Sequence, residues 1–356
     1  MKIAILGDTH FGMRGDSLWF HSYYQNFYEK VFFPYLVDNE ITDVYQLGDL
    51  FDRRKYINFN SLYLARKYFF DRLRDLDINF HTLLGNHDVS YKNTLEVNSS
   101  QLLLREYKNI TIHDKPITCD VDGTQIDIIP WICADNENQI LEFIKGSSSD
   151  IAFGHFEIAG FKMDKNTICF DGIDRDLLNK YDIVLSGHFH HKSSDGQITY
   201  VGTPGEITWA DYNDPRGFHV FDTSSRELSF IKNPYSIFFK IEYDDNVQTF
   251  DYWNDFDLSK YKNVYVKLNV KIKQNPYLFD LVLDKLLKEN PIDVSVTENF
   301  DDPLSGSSEN VDESEDTITI LSKYIEQLSL NLDSDKMKLI MSELYQECLS
   351  LDSNAE

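Results

Sequence analysis

Lys2-Ile3-Ala4-Ile5-Leu6-Gly7-Asp8-Thr9-His10 opens the chain with a short apolar run that stops at glycine and passes straight into metal-binding residue types. The same order recurs four more times: Gln46-Leu47-Gly48-Asp49-Leu50-Phe51-Asp52, Leu83-Leu84-Gly85-Asn86-His87-Asp88, Ala152-Phe153-Gly154-His155 and Leu185-Ser186-Gly187-His188-Phe189-His190. Each apolar part reads as a buried strand, and glycine lets the backbone turn sharply where that strand leaves its sheet. In open α/β sheets ligands bind beyond the carboxyl ends of the strands, so all five clusters can meet there. If the chain stays extended through Asp8-x-His10 and His188-x-His190, each pair points to one side. A lone Gly-Asp or Gly-His is ordinary turn chemistry. Five such clusters at five strand exits are not, because buried and unpaired His and Asp would be costly.

Working outward, residues 1–235 alternate apolar strands (Lys2–Leu6, Asp43–Leu47, Asn79–Leu84, Gln125–Ile129, Ile151–Phe153, Ile183–Leu185) with helical stretches at Ser17–Asn39, Ser61–Asp75, Asn136–Lys145 and Arg175–Tyr181. That is the pattern of an α/β domain, with Pro34 expected to kink or end the first helix. Residues 236–297 read as a second, smaller unit, with a strand at Val264–Ile272 and a helix at Tyr277–Lys288. From Glu298 to Asp316 there are eight acids and no Lys or Arg, a solvated linker at 298–316. Two amphipathic helices are expected within 317–351, at Thr317–Leu330 and Ser334–Leu351.

The 356 residues are 42% hydrophobic and 14% aromatic, a folded composition with room for a large catalytic domain and smaller appendages. No apolar run approaches the ~20 residues that span a bilayer. The first strand starts at once, without the pattern of a secretory leader. Cys119, Cys133, Cys169 and Cys348 are scattered like reduced thiols, so the expected compartment is the cytoplasm. A net charge of −25 argues at first against a nucleic-acid partner. Yet residues 1–240 carry 24 basic and 34 acidic residues against 10 and 25 in 241–356. The shorter part is thus the more acidic, and several acids of the first part are candidate ligands whose charge cations would offset.

The donor inventory is carboxylates, imidazoles and one amide, without thiolate, which suits Mn²⁺, Fe²⁺ or Zn²⁺ better than Ca²⁺ and argues against a structural zinc site. Asp49 is the candidate to bridge two ions. His87, between Asn86 and Asp88, is the candidate to lie beside a substrate and to stabilise or protonate a leaving oxygen. His21, His81, His113 and His219 read as core or surface residues, and His191 faces away from its neighbours in an extended chain.

This ordered set resembles the calcineurin-like metallophosphoesterases, and most of all the SbcD/Mre-type DNA repair nucleases, including the branch found in recombination endonucleases of T-even-like phages. The likeness extends to Asp127-Ile128-Ile129-Pro130-Trp131, Gly202-Thr203-Pro204 and Asn213-Asp214-Pro215-Arg216-Gly217-Phe218. It implies a four-layer α/β/β/α sandwich over 1–235 and an α+β capping domain over 236–297. It implies one metal on Asp8, His10, Asp49 and His190 and another on Asp49, Asn86, His155 and His188, the ions usually being Mn²⁺. His87 matches the catalytic histidine, with Asp88 as its orienting partner, while Asp52 stands where some members carry His. The helix pair of 317–351 resembles the segment that grips the coiled coil of an SMC-like ATPase. A homodimer is also implied, to which Leu62, Arg66, Phe69, Phe70 and Leu102-Leu103-Leu104 could contribute, although core packing explains them equally well.

The resulting expectation is a Mn²⁺-dependent DNA nuclease, with exonuclease and endonuclease capacity, that processes double-strand breaks beside an ATPase. Its DNA ends would be contacted by Arg14, Arg53, Arg54, Lys55, Lys92 and Lys192. One alternative keeps the chemistry and acts on nucleotides or phosphoproteins. Another, of a different class, is a non-catalytic scaffold for the ATPase.

Overall fold

The computed structural model describes residues 1–163, 165, 168–170, 172–298 and 336. Apart from Lys336, the expected linker beyond Glu298 and the helix pair of 317–351 lie outside the described residues, as does Cys348.

Two six-stranded sheets carry the larger unit. In the first, Glu227–Lys232, Gly217–Asp222, Lys2–Leu6, Asp43–Gln46, Asn79–Leu83 and Ile110–His113 lie side by side; the last four run parallel and the first two are antiparallel additions. In the second, Thr124–Ile129, Ile151–His155, Ile183–Gly187 and Ile198–Tyr200 form a parallel centre, with antiparallel edges at Ile117–Val121 and Ser193–Ser194.

The layering follows from the two-residue period of the strands. Ile3 and Ile5 enter a core shared with Ile126, Ile128, Ile151, Phe153 and Leu185 of the opposite sheet. Ala4 and Leu6 face the other way, into a core with Phe20, Tyr24, Phe27 and Phe69 from the helices. On the second sheet Ile129, Ala152 and Val184 turn outward to a core with Ile140 and Ile144 of the helix Glu137–Gly146. The result is the expected α/β/β/α sandwich. Each fully buried Ile or Phe of these layers contributes roughly 1.5–3 kcal/mol of burial.

The helices depart from expectation in instructive ways. Leu18–Phe27 continues through a π turn at Tyr28–Phe32 into Phe33–Asp38, so Pro34 does not end the helix. Phe33 N–H reaches back five residues to the Tyr28 carbonyl, and this wider turn makes room for a proline that has no N–H to donate. The second helix starts at Phe59, two residues early, because the Asn58 side chain caps the amides of Asn60 and Ser61. It too has a π turn, Arg66–Phe70, and Tyr28 and Phe69 of the two turns meet with ring centroids 4.6 Å apart. Of Arg175–Tyr181 only a 3₁₀ turn, Arg175–Leu178, forms.

Phe238–Asp244, Tyr265–Ile272 and Asp293–Glu298 form a separate three-stranded sheet with the helices Phe250–Asp255 and Pro276–Lys288 between them. All three strands are parallel, so this unit is α/β in construction where segregated α+β was expected. Tyr243, Trp253, Val266, Leu268 and Leu286 give it a core of its own. Glu206 ties it to the sandwich by accepting the amides of Ile237 (2.6 Å) and Phe238 (3.1 Å). Trp19 packs edge-on to Tyr265, and Trp209 packs against Phe238. Cys119 and Cys133 are free thiols, and no helix among the described residues is long and apolar enough to cross a membrane.

Candidate metal centre

Strands of both sheets deliver the five clusters to one place, but not by staying extended. His10 (φ 44°), Asp49 (φ 54°) and His188 (φ 86°) all adopt the left-handed conformation, which side chains with a Cβ normally avoid. Backbone strain of this kind costs of order 1–3 kcal/mol and gathers at functional positions. Gly187 is needed for closeness: a Cβ there would lie 2.3 Å from the Leu47 carbonyl oxygen and 2.6 Å from Asp8 Oδ1.

Two donor groups result. Asp8, His10 and His190 form one, and Asp49, His155 and His188 the other. Asp49 Oδ2 lies 3.8 Å from His10 Nε2 and 3.4 Å from His155 Nε2, so this carboxylate stands between the groups. Asn86 Oδ1 is 3.0 Å from both His155 Nε2 and His188 Nδ1 and joins the second. His10 Nε2 and His190 Nε2 face each other at 3.0 Å. Two nitrogens each about 2.1 Å from one cation, at right angles, would be about 3.0 Å apart. All seven expected donors therefore converge, and the geometry fits two cations sharing Asp49.

Electrostatics point the same way. Burial drives His10 well below the ordinary imidazole range, with the charge of His190 adding to it; burial likewise takes His188 to about 3 and His190 to about 4. Burial thus favours the neutral form of these rings, the form in which an imidazole nitrogen ligates a metal. Burial pushes the Asp8 carboxyl up to about 8. His155 is raised to about 9 because the Asp49 carboxylate outweighs its burial, and Asp49 is held below the usual carboxylate range by the same partner. Protons on Asp8 and His155 offset charge that divalent cations offset equally well.

The family profile of the calcineurin-like phosphoesterases matches residues 1–192. The chain belongs to the calcineurin-like phosphoesterases. Over 350 residues, 98% of this chain and 99% of the relative, it is 35% identical to exonuclease subunit 1 of Enterobacteria phage T4. It is 22% identical to the SbcD component of the nuclease SbcCD from Staphylococcus saprophyticus, over 83% of this chain and 77% of that one.

In this phosphoesterase His87 stands half-buried beside the donors, its ring centroid 4.9 Å from that of His10. The Asp52 main-chain carbonyl accepts from its Nδ1 at 2.6 Å, and Asp49 Oδ1 accepts its amide at 2.7 Å. Nδ1–H is thereby committed and Nε2 left for chemistry. The expected partner, Asp88, does something else. Its carboxylate accepts the amides of Leu50, Phe51 and Gly85, pinning the Asp49 loop to the His87 loop, so it orients backbone and not the imidazole. The Asp52 carboxylate, raised by burial, lies 3.6 Å from His10 Nδ1.

Sequence reasoning missed a supporting layer. Arg216 is buried and donates to the His190 carbonyl, to Thr203 Oγ1 (3.0 Å), to Asp211 (2.6 Å) and to Asp214 (2.7 Å). Asp214 also holds His191 Nδ1 at 2.9 Å, which keeps that ring out of both donor groups. Gln46 links the Gly7 and Gly48 carbonyls and accepts from Thr82. Glu157 sits 3.9 Å from His188 Nε2, and the Trp131 ring lies 5.2 Å from His188. The stretches holding Trp131 and Arg216 belong to the family resemblance, which was the available signal.

Among the expected DNA contacts, Arg53 is paired with Asp16 at 2.9 Å and lies over Tyr56, and Lys192 lies over Phe230. Arg54 is half-buried, whereas Arg14, Lys55 and Lys92 are exposed. The expected dimer residues divide. Phe69, Phe70 and Leu104 are fully buried in the core and unavailable to a partner, whereas Leu102 is exposed and Leu62 and Arg66 are half-buried. His21, His113 and His219 are buried, as expected of core histidines.

Proposed function

We propose that this chain is a Mn²⁺-dependent DNA nuclease, the exonuclease and endonuclease subunit of a complex that processes double-strand breaks for recombination. The observation that carries the reading is the convergence of two donor groups on a shared Asp49 with His87 beside them. Likeness to two nuclease subunits, one along nearly the whole chain, supports DNA as the substrate and a partner subunit as the setting.

Asp8, His10, Asp49 and His190 would hold one cation, and Asp49, Asn86, His155 and His188 the other. When bound, such a pair polarises a phosphodiester and acidifies water. The chain's own residues do the rest. His87, with Nδ1–H fixed on the Asp52 carbonyl, presents Nε2 to hydrogen-bond or protonate the leaving oxygen. Asp88 holds the two loops that set its position. Residues 236–297 act as a cap beside the substrate, 298–316 as a linker, and 317–351 as the grip on an SMC-like coiled-coil ATPase. Arg14, Lys55 and Lys92 are the phosphate contacts with their charge most open to solvent. The place of work is the cytoplasm, that of the host if the chain is phage-encoded, and the nuclease works as a homodimer.

The test is cleavage of end-labelled duplex DNA with Mn²⁺, with and without the ATPase, beside nucleotide and phosphoprotein substrates. His87→Asn should lower cleavage by about 10²-fold or more at unchanged metal content. A preference for phosphoproteins or free nucleotides would overturn the DNA reading, and full activity in His87→Asn would remove that residue from the mechanism.

A further inference from the structure

Beside the second donor group lies a recess of about 120 Å³ lined by Trp131, Ile132, His155, Phe156, Glu157 and Ile173. It is well below the roughly 300–1,000 Å³ of a site that swallows a whole small ligand, yet it exceeds by far the room for one water. A single flat ring is the size of guest it admits. Its walls are mainly apolar and aromatic, although it opens beside one of the most polar clusters in the molecule. The metal chemistry uses none of Trp131, Ile132, Phe156 or Ile173.

The recess is built, not incidental. Trp131 follows Pro130 directly after the strand Thr124–Ile129, its amide donates to the Leu84 carbonyl at 2.8 Å, and its own carbonyl accepts from Asn136 Nδ2 at 3.0 Å. The indole is thereby carried to the donor edge, 5.2 Å from the His188 ring and 5.9 Å from the His155 ring. The opposite wall is fixed by the Ile158–Ile173 bridge and by the Ile173 amide on the Glu157 carbonyl at 2.7 Å. At Gly172 the chains close so tightly that a Cβ would sit 2.5 Å from that carbonyl.

We propose that this recess receives the nucleobase adjoining the scissile phosphate, stacked on Trp131. The proposal rests on the nuclease reading and deepens it. A phosphate held against His155 and His188 has its attached nucleoside within reach of the recess, and every base offers a π face to an indole whatever its sequence. Stacking there positions the reacting nucleotide and requires the base to leave its own stack, which favours frayed or unpaired ends over intact duplex.

The experiment uses the full chain and two readouts. A single-stranded oligonucleotide with 2-aminopurine at its terminal nucleotide and nuclease-resistant phosphorothioate linkages is titrated with Mn²⁺ present, so that the donor groups are loaded while cleavage is suppressed. Quenching by the unaltered chain, lost in Trp131→Leu and largely kept in Trp131→Phe, is expected; equal fluorescence with all three overturns the proposal. Cleavage with Mn²⁺ then compares that oligonucleotide sequence with one whose terminal base is replaced by an abasic analogue. Trp131→Leu should slow the base-bearing substrate roughly tenfold and leave the abasic one unchanged. An equal loss on both would mean that Trp131 only buttresses the histidines, which also overturns it. Quenching without any DNA cleavage by the unaltered chain would sink the nuclease reading while the base site stands. Cleavage indifferent to Trp131 would do the reverse.

Discussion

Replacing Arg216 tests whether the donor group that contains His190 depends on a buried arginine that never touches substrate. One guanidinium ties three segments together: the His190 loop through its carbonyl, the Thr203 turn, and the turn bearing Asp211 and Asp214. Asp211 spends its other oxygen on the amides of Ile207 and Thr208, at 2.7 and 2.9 Å, so it cannot swing away to find water. Arg216→Met would leave two carboxylates buried at 3% and 7% exposure without their cation. Breaking such a pair costs about 3–5 kcal/mol, enough to endanger folding altogether. Arg216→Lys is the better probe. It keeps the charge but replaces a planar fork by a point donor, and each charge-assisted bond not remade costs about 1.5–3 kcal/mol. The His190 carbonyl, at the end of the reach, is the partner expected to be lost. Denaturant unfolding in EDTA should show a deficit of about 2–3 kcal/mol. Mn²⁺ titration by paramagnetic resonance should show a loss of about 10–100-fold in affinity, the range for groups that orient metal ligands. A lysine variant of reduced stability but unchanged Mn²⁺ affinity would refute the link to His190. Unchanged stability would refute the energetic reading of the network itself.

Asp49→Asn should abolish binding of both ions, because one carboxylate oxygen serves both groups, whereas Asp8→Asn should cost chiefly one; metal stoichiometry after gel filtration distinguishes the cases. Stability should also fall on acidification for a reason away from the metals. Burial lowers His113 to about 4, with His81 adding, and His219 to about 3, with Lys192 adding. The folded chain then binds fewer protons than the unfolded one, so their contribution is complete above pH ~6.5 and lost as pH drops toward those values. From pH 6.5 to 5 each forfeits about 1.5 kcal/mol. Urea unfolding at both pH values, with Mn²⁺ present to keep the metal-site rings from titrating, should show the loss reduced by about 1.5 kcal/mol in His219→Phe. An identical pH slope in that variant would remove His219 from the account.

The donors were legible because strand and donor share one local grammar. An apolar run with a two-residue period, a glycine and a short polar cluster are all read within ten residues, as in 2–10 or 183–190. What was not legible depends on distance in the chain. Asp88 carries the right chemistry for a partner of His87, but its role is fixed by amides at Leu50 and Phe51. Arg216 acts on His190 across 26 residues. The assumption of extended chain failed at His10 and His188 because a strand exiting a packed sheet must reverse within two residues, and left-handed residues do that. Phe69 and Phe70 fit a dimer face or a core equally well in the sequence, and the structure places both in the core. The π turn inserts a residue into the helical period and brings Tyr68, Phe69 and Phe70 together into the core, a run that a 3.6-residue pattern alone does not assign to one face. Strands such as Ile198–Tyr200 are three residues long and have no period to read.

The charge of −25 is the feature that most resists a DNA substrate, and the centre itself removes the difficulty. Once bound ions displace the protons of Asp8 and His155, Asp8 and Asp49 would bring two negative charges to a cluster whose other donors are neutral imidazoles and an amide. Two divalent cations would make the net charge about +2 at the point where a phosphate would sit. At physiological ionic strength, exposed charges more than ~8 Å from that point through solvent count for little. On the proposed reading, attraction for the substrate would therefore be switched by metal loading and confined to the catalytic edge. On the same reading, a chain of net charge −25 would then engage DNA where the cations are, without holding on to the rest of the duplex.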